Sequence, residues 1–180
     1  MAEVCVFCAS SRTLDRRYLE LAREVGAVLG ARGHGVVSGG GRVGMMGTLA
    51  EGARAGGAHT LGVIPQSLVD LEIADAAADE LLITDGMAAR KIVMMERAQV
   101  FLVLPGGIGT LDELFEVWTT ATLGLHAKPI LLLDFDGFYE GLLVWLTGLA
   151  SQGFVRPEAL AQLKVVRNMD EVLDAIERFG

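Results

Sequence analysis

The sequence predicts an α/β fold, a doubly wound Rossmann-like parallel sheet with helices on both faces, and three observations carry that expectation. Short, continuously apolar runs recur along the 180 residues, as strands covered on both faces require. Longer segments with helical spacing separate them. That alternation favours parallel strands, because each crossover helix returns the chain to start the next strand in the same direction. Glycine-rich turns follow three of the runs, where sheets of this kind place their ligands.

The first strand lies in EVCVFCAS (3–10), a valine- and cysteine-rich run that stops at two serines. Residues Arg16 to Ala31 then carry apolar side chains at three- and four-residue steps, the period of an amphipathic helix. GVVSGG (35–40) is the second strand, broken by glycines, and Met45 to Ala55 the helix after it. HTLGVIP (59–65) and DELLITD (79–85) are the third and fourth strands, the third ended by its proline. Ala88 to Ala98 reads as a helix, QVFLVLPGG (99–107) as the fifth strand, and Thr110 to Leu125 as the helix that follows. KPILLLDF (128–135) is the sixth strand and Phe138 to Leu149 its helix. A short run, LKVVR (163–167), and a last helix from Asp170 to Phe179 complete the chain. No linker, repeat or low-complexity tract divides it, so residues 1–180 are expected to form a single domain.

Composition excludes several function classes. With 52% hydrophobic residues there is ample material for a large core. A net charge of −8 gives no basic field for a nucleic-acid polymer, so a small anion must be held by local donors. The apolar runs are too short to span a bilayer, and MAEVCVFCASS lacks the basic start and cleavage pattern of a signal peptide, so a cytoplasmic protein is expected, without a membrane partner. Cys5 and Cys8 form a C-x-x-C, but no second cysteine pair exists and His34, His59 and His126 are scattered. Both cysteines are therefore expected to pack as small apolar residues, and no metal or cofactor is expected.

Three turns compete for a ligand: CASS after the first strand, SGGGRVGMMG after the second and PGGIGT after the fifth. Residues 39–44 satisfy G-x-G-x-x-G, a pattern of dinucleotide sites. It follows the second strand, however, and the next strand ends at VIPQS without an acid to hold a ribose, which argues against NAD. PGGIGTLDE (105–113) runs from a strand through glycines into a helix, whose free backbone N–H groups favour a bound anion such as phosphate. Asp112 and Glu113 then fall in the first turns, where the macrodipole alone would explain them.

Taken together, GGGRVGMMG (39–47) and PGGIGTLDE (105–113) closely resemble the paired signatures of the Lonely Guy family, and the similarity extends through VFCASS, LGVIPQSL, MAARK, LGLHAKPILLLD and GFVRP. Members are phosphoribohydrolases that release the base from cytokinin riboside 5′-monophosphates and often from AMP. Many carried a mistaken lysine decarboxylase label. The resemblance implies binding by Gly106, Gly107, Ile108, Gly109, Thr110, Leu111 and Asp112, with Thr119 further along the helix, Arg90 and Lys91 between the motifs, and Glu72. Arg90 and Glu113 would be the catalytic pair, and Ser10, Gly39, Gly40, Gly41 and Met87 the pocket wall.

Those residue types suit the reaction. Breaking an N-glycosidic bond builds positive charge on C1′ and negative charge on the departing base. Glu113 could stabilise the cation, orient the ribose hydroxyls or activate water. Arg90 cannot deliver a proton, because guanidinium stays charged, so its part is electrostatic. Without the motif, Arg90 and Lys91 would read as an exposed helix face. The competing function is a non-catalytic nucleotide or molybdenum-cofactor carrier. Lastly, Ile92, Val93, Met94 and Met95 spread apolar surface around most of one helix, and with the family resemblance this implies a homodimer with active sites near the subunit boundary.

Overall fold

The computed structural model describes residues 1–71 and 73–179. Its strands are β1 (Glu3–Phe7), β2 (Gly35–Ser38), β3 (Thr60–Pro65), β4 (Glu80–Thr84), β5 (Val100–Val103), β6 (Ile130–Leu133) and β7 (Leu163–Val166). They form one parallel sheet in the order β4-β3-β2-β1-β5-β6-β7. The helices are α1 (Arg16–Ala31), α2 (Gly44–Ala55), α3 (Gln66–Val69), α4 (Met87–Arg97), α5 (Ile108–Thr122), α6 (Glu140–Ser151), α7 (Pro157–Gln162) and α8 (Met169–Glu177). The α3 and α7 turns have no counterpart in the sequence reading, since four and six residues are too few to show a period.

Strand alternation divides the core into two layers. Val4, Val6, Val36, Val100, Leu102 and Leu131 face α1, α2 and α8. Cys5, Phe7, Val37, Phe101, Val103 and Leu132 face the α4, α5 and α6 side. Each strand is thus apolar at every position because both of its faces are covered. The two cysteines pack as expected: Cys5 and Cys8 are buried free thiols in opposite layers. On the first face α1 and α2 approach so closely that a Cβ on Gly26 or Gly52 would overlap the other helix's backbone. Met94 of α4 is 1% exposed and belongs to the second core layer, whereas Ile92 is 55% exposed. A helix that appeared apolar all round thus has a committed core side and an open side.

The winding positions the site. From β1 the chain steps outward through β2, β3 and β4, then returns to the other side of β1 for β5. The loops after β1 and β5 therefore diverge, leaving a crevice at the carboxyl ends of the strands. Among the described residues no helix is long and apolar enough to cross a membrane.

Candidate active site

A cavity of about 430 Å3 occupies that crevice, within the range of small-molecule sites. Its floor is the β1 turn, Cys8 to Ser11, and one side is the start of α5, from Gly107 through Thr110 to Glu113. Gly39, Gly41, Val43 and Met46 come from the turn after β2 and the start of α2. Ile64, Leu68, Ile73 and Met87 make an apolar wall beside Arg90.

The start of α5 has the open geometry that can receive an anion. Gly107 caps it, and among the described residues no side chain takes its first N–H groups. A Cβ added at Gly107 or Gly109 would meet no protein atom within 4 Å, and neither residue has positive φ. Their missing side chains therefore free space for a ligand, not for the fold. Gly106 differs: a Cβ there would strike the Thr110 side chain, so it serves the tightness of the turn. The strand end before the loop is fixed by the Tyr139 hydroxyl, which donates to the Leu104 carbonyl at 2.7 Å.

Arg90 and Glu113 face each other at the cavity's inner end, 5% and 8% exposed. Arg90 Nε donates to the Val63 carbonyl at 2.9 Å and Nη2 to the Gly39 carbonyl at 3.1 Å. Only Nη1 is directed at Glu113, whose Oε1 lies 3.5 Å away. The single long contact offsets little of the cost of burying the carboxylate. Burial raises the Glu113 pKa to about 7, against the lowering influence of Arg90. Burial also pushes the Cys8 thiol well up, with the Glu113 charge adding to it, so Cys8 is no nucleophile at neutral pH.

Of the residues named from sequence, the structure brings Ser10, Gly39, Gly41, Met87, Arg90, Gly107, Ile108, Gly109, Thr110 and Glu113 to this cavity. Others lie elsewhere. Gly40 turns the chain with φ +70° behind the wall, its space filled by β3. Asp112 is one helical step from Glu113, about 100° around α5, and points to solvent. There it accepts from Lys91 Nζ at 3.0 Å. Lys91 also contacts Glu116, and Glu116, then Asp112, raise its pKa against the effect of burial, so the lysine ties α4 to α5 outside the cavity. Leu111 packs against the second core layer. Thr119 is six residues beyond Glu113, about 240° around the helix, exposed beside Phe115 and Trp118. Glu72 lies outside the described residues. The sequence reading missed Ile64, Leu68 and Ile73, whose apolar character is indistinguishable from core until the sheet shows which end they occupy. Among the described residues no group of three His, Cys, Asp or Glu side chains is placed to hold a metal.

Fold and site together define a Rossmann-like α/β protein whose open helix N-terminus stands beside a buried carboxylate and guanidinium. Comparison with known proteins narrows this class. The family described as possible lysine decarboxylase matches residues 46–176. A cytokinin riboside 5′-monophosphate phosphoribohydrolase of Mycobacterium tuberculosis is 51% identical over 172 residues, covering 96% of this chain and 91% of that protein. One from Arabidopsis thaliana is 40% identical over 176 residues, covering 98% of this chain and 81% of that protein. The chain belongs to this family, the Lonely Guy proteins. The molybdenum cofactor carrier protein of Chlamydomonas reinhardtii shares the fold, with a TM-score of 0.74 at 20% identity over 99% of this chain and 97% of that one.

Proposed function

We propose that residues 1–180 act as one catalytic domain that hydrolyses the N-glycosidic bond of purine or cytokinin nucleoside 5′-monophosphates, giving free base and ribose 5-phosphate. The chain is an enzyme of the phosphoribohydrolase class, as its relatives' names state of them. The observation that carries the mechanism is the pairing of an open anion cradle, Gly107 to Thr110, with a Glu113 of raised pKa beside it.

The cradle's N–H groups hold the 5′-phosphate, and that anchor places the ribose beneath Glu113. The base lies against Ile64, Leu68, Ile73 and Met87. As the C1′–N bond breaks, the Glu113 carboxylate stabilises the positive C1′ and accepts a proton from the attacking water. The water oxygen bonds to C1′, and the base departs with the bonding pair and takes up a proton from solvent, to which Glu113 returns the one it accepted. The Arg90 cation favours the negative charge growing on the base. A non-catalytic carrier would need no such pair.

Incubation with AMP followed by chromatography should show adenine and ribose 5-phosphate. Adenosine plus inorganic phosphate would instead mean a phosphatase. Adenosine itself should be hydrolysed with kcat/KM lower by on the order of 10²-fold or more, because phosphate binding energy positions the sugar. Equal rates would remove the cradle from the mechanism.

We further propose a cytoplasmic homodimer. The free thiols of Cys5 and Cys8 support the compartment. Exposed Ile92 and Met87 on α4, Ile108 on α5, and Trp145 and Phe154 around α6 support the assembly, being more apolar surface than a monomer usually leaves in water. Thr119, turned away from its own cavity, could meet substrate only in a second copy's site. Light scattering should give twice the chain mass, and Ile92→Asp should halve it and lower activity. A fully active monomer would sink the dimer. A charge at Met94 would be a poor probe, since that side chain is core.

A further inference from the structure

Arg90 is a buried cation with an unusual set of partners. Two of its three nitrogens are taken by main-chain carbonyls at the ends of β2 and β3, and the carboxylate beside it receives one contact at 3.5 Å. A guanidinium free to turn would pair with Glu113 through two parallel bonds, the stronger arrangement. Something holds it back. Gly39 offers its carbonyl to Nη2 and also leaves the space in which Nη2 lies. A Cβ at Gly39 would overlap Nη2 and stand 2.9 Å from Cζ. The other near atom, Met46 Cε at 3.0 Å, is the end of a flexible side chain that can move. Gly39 does not have positive φ, so its backbone conformation is open to alanine.

We infer that Gly39 is a positioning residue: its missing side chain is the seat of the Arg90 guanidinium, and that seat limits Arg90 to one contact with Glu113. The first glycine of the triplet thus serves catalysis through an arginine 51 residues away, not through phosphate. Substrate binding stays largely intact without the seat, since the cradle on α5 is a separate element. The chemical step suffers, since the cation no longer stands where charge develops on the base. This inference rests on the phosphoribohydrolase reading for its kinetic part and on packing alone for the rest.

A double-mutant cycle over Gly39→Ala and Arg90→Lys tests it, because lysine carries no Nη2. In the wild-type background Gly39→Ala should lower kcat for AMP by on the order of 10-fold or more, with KM within about 3-fold. It should lower Tm by roughly 5 °C. In the Arg90→Lys background the same change should cost less than about 2-fold in kcat and about 1 °C in Tm. If Gly39→Ala alone fails to fold, the double variant must fold, since it lacks the clashing group. Equal costs in both backgrounds, an unchanged kcat, or a double variant that also fails to fold would overturn the inference. If the unaltered protein releases no adenine from AMP, the activity reading fails, and the melting cycle still decides the seat.

Discussion

Glu113→Gln lowers turnover of AMP by on the order of 10²-fold or more while the protein remains folded and still binds the nucleotide. Glutamine keeps the shape of the side chain but can neither accept water's proton nor carry the charge opposite C1′. The same substitution stabilises the protein at high pH. In the folded chain the carboxyl has a pKa of about 7 against an ordinary 4.5, chiefly through burial. Between those values the folded chain holds a proton that the unfolded chain has released, so stability falls as pH rises through that window. Above pH 7 the full penalty is present, on the order of 3 kcal/mol. Glu113→Gln should therefore melt roughly 5 to 10 °C above wild type at pH 8 and close to it at pH 4.5. Wild-type kcat/KM should decline as pH falls through about 7, as the carboxylate is protonated. Near-normal turnover, or a variant no more stable at pH 8, would remove Glu113 from the role assigned to it.

Arg90→Ala has the second large effect, and it is destabilising. The substitution strands the Gly39 and Val63 carbonyls without their donors and leaves Glu113 without its cation. Each buried acceptor left without its donor costs about 1–3 kcal/mol, and these two carbonyls, not the long contact to Glu113, carry most of the loss. Activity should fall by on the order of 10²-fold or more, since the departing base loses its electrostatic support. Arg90 lowers the Glu113 pKa in the intact site. The acid limb of any remaining activity should therefore move above pH 7. Calorimetry and a pH profile on the folded variant check both. Turnover within 3-fold of wild type, with the limb unmoved, would mean that the guanidinium only braces the ends of β2 and β3.

The two glycine turns show how far local pattern reaches. PGGIGT follows a strand and opens a helix, and those neighbours alone imply free N–H groups, so the cradle was legible in the chain. GGGRVG has a comparable local pattern, yet Gly39 seats a side chain from α4, Gly40 turns behind the wall and only Gly41 joins Gly39 at the cavity. Asp112 and Glu113 are adjacent in sequence, and helical geometry separates them by about 100°. Which of the two enters the cavity depends on how α5 packs on the sheet. Lys91 and Thr119, paired with the site by resemblance, are turned away from it for the same reason.

Periodicity and turn chemistry are local, and so the strands, the long helices, the parallel sheet and the open start of α5 could be derived from the order of residues. A pKa near 7, the split of Arg90 between two carbonyls and one carboxylate, and the apolar wall of Ile64, Leu68 and Ile73 could not. Each depends on groups far apart in the chain meeting in one place, where exclusion of water sets the strength of every charge. Only the stacking of β2, β3 and β5 around β1, and the seating of α4 and α5 above them, decides which groups meet there.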